Sequence, residues 1–151
     1  MTAFVFDDGG RGDAGFKGST GDCVVRAIAI ATGLPYREVY DELHNRSRDV
    51  LATARPGTKK HARLSRGSTS PRAGVRRSAY DPYLKSLGWT WTPTMQIGSG
   101  TTVHLRDDEL PSGTIIVRVS KHMLTMIDGV IHDTFMDDRG GTRAVYGYWS
   151  K

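Results

Sequence analysis

Gly18-Ser-Thr-Gly-Asp-Cys-Val-Val-Arg-Ala-Ile-Ala-Ile-Ala-Thr-Gly-Leu-Pro-Tyr-Arg-Glu-Val-Tyr40 is the stretch on which the reading of this chain turns. It holds the only cysteine, Cys23. A small polar loop leads into an apolar run. Val24, Ala27, Ile28, Ala31 and, one turn earlier, Thr20 fall at helical spacing, and Ile30 widens the stripe. Thr20 or Asp22 is placed to cap the helix, and Gly33 followed by Leu34-Pro35 stops it. Cys23 therefore stands in the first turn of a helix whose other residues are core. A helix N-terminus carries partial positive charge and free N–H groups, which lower a thiol pKa and can hold a developing oxyanion. A lone cysteine on an apolar helix is more often a small buried hydrophobe, so the rest of the chain must supply the reason to read it otherwise.

On the C-terminal side, Pro35 opens a second helix with Tyr36, Val39, Tyr40 and Leu43 as its apolar stripe, ending near Asn45. Residues 46–78 change character. Ten Lys or Arg stand against one acid, Asp49, between Arg46 and Arg77, with Gly, Pro and Ser throughout. The expectation is a basic, partly mobile insertion read as a long loop. It is a solvated insertion, a flap that grips substrate, or a nucleic-acid contact. The absence of interleaved aromatics weighs against the last. Outside it acids slightly outnumber bases, so a global label of "basic protein" misleads. A third helix follows from Ser78, with Tyr80, Tyr83, Leu84 and Leu87 in register and Gly88 as its stop. On the N-terminal side, residues 1–18 read as a surface loop with Phe4–Phe6 as a short edge strand.

The last third reads as antiparallel sheet: Thr114–Ser120, His122–Ile127, Val130–Phe135 and Ala144–Trp149. Trp89-Thr-Trp91 begins another strand, and Val103-His104-Leu105 is a candidate one. Trp89, Trp91, Tyr146, Tyr148 and Trp149 read as core and sheet packing. Asp128-Gly129 between two β-rich runs is a two-residue hairpin turn and fixes register. Ile127 then faces Val130, Leu124 faces Asp133, and His122 faces Phe135. With side chains alternating, His122 and Asp133 become diagonal neighbours on one face, shared with Leu124, Met126 and Ile131. His132 points the other way. A carboxylate on a mostly apolar face has a partner. A cysteine nucleophile needs a base, and the base a group that fixes its tautomer. Cys23, His122 and Asp133 supply those three parts in order.

One cysteine excludes an internal disulfide framework and a cysteine-rich zinc site, and the five histidines show no ligand spacing. No metal or other cofactor is expected. The start, Met-Thr-Ala-Phe-Val-Phe, has no basic, apolar leader pattern, and no run reaches the roughly 18 apolar residues of a membrane span. The expectation is a cytoplasmic protein with no membrane partner.

Three pieces resemble the papain-like cysteine peptidase superfamily, most nearly its compact bacterial or bacteriophage members. They are Thr20-Gly-Asp-Cys-Val-Val-Arg-Ala-Ile-Ala, Leu110-Pro-Ser-Gly-Thr-Ile-Ile-Val-Arg-Val-Ser-Lys-His122 and Ile127-Asp-Gly-Val-Ile-His-Asp-Thr-Phe135. The resemblance covers the two ends of the chain and not residues 46–78. It implies a single α+β domain over residues 1–151, with a central helix starting at the cysteine and N-terminal helices packed on a C-terminal antiparallel sheet. It also implies Cys23 as nucleophile, His122 as general base then acid, Asp133 as the orienting group, and the Cys23 backbone N–H in the oxyanion hole. Such proteins often place a Gln six residues before the cysteine. Here Lys17 stands there, and Ser19, Thr20 and the remoter Gln96 are the other candidates for the second donor. The expected function is hydrolysis of a peptide or isopeptide bond in a protein or peptide substrate through a Cys thioester. The alternatives are acyl transfer by the same triad, as in transglutaminases, and a non-catalytic binding protein of the same fold that uses the basic segment, for nucleic acid or another partner.

Overall fold

The computed structural model describes residues 2–16, 21–66, 69–96, 100–101 and 103–151. An N-terminal strand β1 (Ala3–Phe6) precedes four helices: α1 (Cys23–Thr32), α2 (Tyr36–Thr53), α3 (Lys59–Arg66) and α4 (Arg77–Ser86). Strands β2 (Thr90–Pro93), β3 (Met95–Gln96), β4 (Gly100–Thr101), β5 (Thr114–Val119), β6 (His122–Ile127), β7 (Val130–Asp133) and β8 (Val145–Ser150) follow. The architecture is α+β, with helices from the N-terminal half packed on a six-stranded mixed sheet of order β1-β7-β6-β5-β8-β2. Strands β3 and β4 form a separate pair.

The helix at Cys23 ends as its sequence dictates. Gly33 adopts the left-handed conformation (φ 74°) and its N–H bonds the Ala29 carbonyl. The second helix runs past Asn45 to Thr53. Residues 46–53 contain no Gly or Pro, and Arg46 bonds Glu42 one turn back at 2.7 Å. The first breakers come only at Pro56-Gly57. The long-loop reading of residues 46–78 is corrected accordingly: the segment holds the end of α2, all of α3, a short 3₁₀ turn (Pro71–Ala73) and the start of α4. α3 begins at a cap, Thr58 Oγ1 accepting from the His61 N–H at 3.2 Å. Charge and turn residues masked this signal.

The purely antiparallel sheet is corrected as well. Five strands are antiparallel neighbours, but β1 pairs with β7 in parallel, Phe4 opposite Ile131. A strand at the far end of the chain can add to the sheet edge in either sense, and hairpin arithmetic does not reach it. Val103–Leu105 forms only an isolated bridge, His104 to Ala144. The Asp128-Gly129 turn is as expected. Both residues have positive φ (49° and 81°), and Ile127 faces Val130.

The core has two parts, one on each side of the sheet. Val25, Ile28, Val39, Leu43, Leu84, Ile116, Met123 and Trp149 are buried between helices and sheet. Leu105, Ile115, Val117, Leu124, Met126 and Ile131 fill the opposite side. The tryptophans pack as expected, Trp89 and Trp149 buried and Trp91 tilted on Trp149 with centroids 5.5 Å apart. Gly147 is what lets Trp91 approach. A Cβ there would lie 2.4 Å from Trp91 Cζ2 and 2.7 Å from the Thr92 carbonyl oxygen. Gly147→Ala is therefore expected to cost about 1–3 kcal/mol by overpacking, read as a lowered urea midpoint. An unchanged midpoint would mean that the β2–β8 contact yields freely.

Candidate active site

Cys23 is the first residue of α1, partly exposed, and Asp22 is its N-cap. The first-turn N–H groups of a helix have no partner within it, and Cys23 carries one of them. The side-chain cap expected of Asp22 does not form, and Thr20, the alternative, lies outside the described residues. Asp22 is fully buried and makes no capping bond. Its carboxylate is held by Arg26, by the Tyr36 hydroxyl at 2.6 Å and by Arg11 at 3.3 Å. A buried carboxylate is better satisfied by two guanidiniums and a phenol than by one amide.

His122 opens β6 and Asp133 closes β7. The β6–β7 ladder pairs Thr125 with His132 and extends no further toward them. Alternation assigns both residues to the side of Leu124, Met126 and Ile131, away from α1. Their polar contacts nevertheless run to α1. His122 Nε2 and Asp133 Oδ2 are 2.6 Å apart, Arg26 Nη2 reaches Asp133 Oδ1 at 3.3 Å, and the Thr134 N–H donates to the same oxygen at 2.7 Å. Each is still paired on its other side, His122 with Val119 and Asp133 with Phe6. The Nε2 contact leaves Nδ1 as the other ring nitrogen, and His122 lines the same cleft as Cys23, close enough that each shifts the other's titration. Lys121 (φ 57°) makes the sharp turn ahead of His122, and the β5–β8 register shifts between Arg118 and Val119 beside it. Phe135, half exposed, packs its ring on His122 with centroids 5.1 Å apart.

The electrostatics follow from these contacts. Burial raises the Cys23 thiol pKa, but the hydrogen bond and charge of His122 and the Met123 N–H outweigh it, and the net direction is down. Burial lowers the His122 pKa, but Asp133 and Cys23 outweigh it, and the imidazole rises to about 9. Both directions favour a thiolate–imidazolium pair. Beneath it, Arg11, Asp22, Arg26, Asp133, His122 and Cys23 form one chain of alternating charge. Asp22, Arg26 and Asp133 are each less than 5% exposed, and their charges persist because each is paired.

The structure thus brings together Cys23, His122 and Asp133. His132 lies apart, 3.6 Å from Asp7. Lys17, Ser19 and Thr20 fall outside the described residues, and Gln96 lies in the separate β3–β4 pair. Sequence reasoning missed Arg26, Asp22 and Tyr36. The signal was present: Asp22 and Arg26 are one helical turn apart, and Arg26 interrupts an apolar run, where a charge must find a partner. Among the described residues no three His, Cys, Asp or Glu side chains cluster as a metal site, and no helix is long and apolar enough to cross a membrane.

Above Cys23 lies an open cleft of about 620 Å³, walled by α1, residues 73–77, the ends of β5 and β6, and Phe135. The Gly21 N–H bonds the Arg72 carbonyl at 2.9 Å, which fastens the wall to the loop ahead of the cysteine. Part of the basic segment is therefore a wall of the site. Comparison with family models, with curated proteins and with solved structures returned no match.

Proposed function

We propose that the protein is a papain-like cysteine hydrolase that cleaves a peptide or isopeptide amide through a Cys23 thioester. The observation that carries this reading is Cys23 at a helix N-terminus, sharing an open cleft with a His122 that is hydrogen bonded to the buried Asp133. A purely structural cysteine requires neither a base nor a cleft. In this reading the Cys23 thiolate attacks the amide carbonyl, and the Cys23 N–H stabilises the oxyanion. The His122 imidazolium protonates the departing amine. Neutral His122 then takes a proton from water as water attacks the thioester, which releases the acid and restores the pair. Asp133 keeps the imidazole in the required tautomer and orientation.

The test is the pH-dependence of Cys23 alkylation by iodoacetamide in wild type and in His122→Ala. The expected result is a thiolate titrating well below about 8.5, the value of a free cysteine, that moves up in the variant. A thiol of ordinary pKa, indifferent to His122, overturns the reading.

A further inference from the structure

The cleft over Cys23 is cationic around its rim. Arg76 and Arg77 come from the entry to α4, Arg118 from β5 and Lys121 from the β5–β6 turn, and among the described residues no Asp or Glu lines the cleft. Arg77 shares its charge with Asp81 at 3.4 Å. Among the described residues Arg76, Arg118 and Lys121 have no carboxylate within ion-pair distance. Arg76 reaches the Arg63 carbonyl at 3.4 Å, and Arg118 lies over the Tyr146 ring at 5.6 Å. These groups arrive from two distant parts of the chain, residues 76–77 and 118–121, and converge on one concave surface, whereas a solvated charged face would lie along one element. The alternating charges beneath the floor cancel one another and leave the field of the rim standing. Outside residues 46–77 acids outnumber bases, 15 to 11, so the chain concentrates positive charge beside this site.

We propose that the cleft selects an acidic peptide, whose Asp or Glu side chains flank the amide presented to Cys23 and pair with Arg76, Arg118 and Lys121. This rests on the hydrolase reading and names the substrate class of that same site. Charge-lined clefts focus field lines and concentrate the complementary ligand. A nucleic acid fits less well. Among the described lining residues Tyr80 is buried and Phe135, half exposed and tilted on His122, is the one accessible ring, too few to stack the successive bases of a strand.

The experiment uses the thiol itself as reporter, in the full chain at neutral pH. Alkylation rates are measured with anionic iodoacetate and with neutral iodoacetamide, and their ratio is compared with that of free cysteine. The ratio is expected to exceed the free-cysteine value by about 10-fold at low salt, within the range of electrostatic focusing. It should fall several-fold when the salt is raised to about 0.5 M, where the screening length is only a few ångströms. His122 alone would also attract an anion, so the decisive arm is Arg118→Gln combined with Lys121→Gln, in which the ratio should drop several-fold. A ratio equal to that of free cysteine, or one unmoved by the double variant, overturns the proposal. An oligoglutamate peptide is expected to protect Cys23 from iodoacetamide better than an oligonucleotide of equal charge; the reverse order overturns it. Slow alkylation by both reagents, indifferent to His122, overturns the hydrolase reading instead, so the two failures are distinguishable.

Discussion

Arg26→Met is expected to lower the unfolding free energy by about 3–5 kcal/mol, the range for removing one partner of a buried ion pair. Methionine keeps length and apolar bulk, so little of the effect comes from a cavity. What is lost is the one guanidinium that bridges Asp22 and Asp133, both almost wholly buried. Asp22 would retain Arg11 at 3.3 Å and the Tyr36 hydroxyl, and Asp133 would retain His122. Neither set replaces a second buried cation. For a chain of this length the loss corresponds to a fall in Tm of about 6–20 °C, measured by calorimetry at neutral pH. Adding Asp22→Asn to Arg26→Met should recover part of the loss, since the worst case is a charge left alone rather than a pair deleted. A loss under about 1 kcal/mol would mean that the network contributes no net stability.

Asp133→Asn is expected to narrow and depress the pH window in which the site reacts. The thiolate forms as pH rises through the lowered pKa of Cys23, and the imidazolium is lost as pH rises through about 9. The competent pair therefore populates the interval between the two. The Asp133 carboxylate, 2.6 Å from Nε2, is the largest influence raising the imidazole pKa. An amide of the same shape removes the charge, so the upper limit moves down toward the ordinary histidine value. The lower limit moves up, because a less cationic His122 stabilises the thiolate less. A hydrogen bond to a charged group contributes about 1.5–3 kcal/mol, which is about 10- to 100-fold in the population of the pair. The check is thiolate absorbance and iodoacetamide rate across pH in both proteins. Coincident profiles would remove Asp133 from any role in holding His122.

The sequence by itself determined the local parts. Apolar spacing and the Gly33 stop defined the helix that begins at Cys23. The Asp128-Gly129 turn fixed the register that makes His122 and Asp133 diagonal neighbours. Both depend on residues close in the chain, where periodicity and turn chemistry act directly. The extent of α2 was also legible in the absence of Gly and Pro before Pro56, but a strongly basic composition concealed it.

Only the tertiary structure decided the rest. It joined β1 to β7 in parallel, across more than 120 residues. It placed residues 73–77 as a wall of the cleft, and it joined the His122–Asp133 pair to Arg26 of α1, a contact that alternation along the strands does not predict. Above all it converted Asp22 from a helix cap into the anchor of a buried chain of charges running to Cys23. Such a chain cannot be read from local spacing. Only its Asp22–Arg26 link is local; Arg11, Tyr36 and Asp133 lie in three other segments, and burial forces each charge to pair with whichever opposite charge the packing brings within reach.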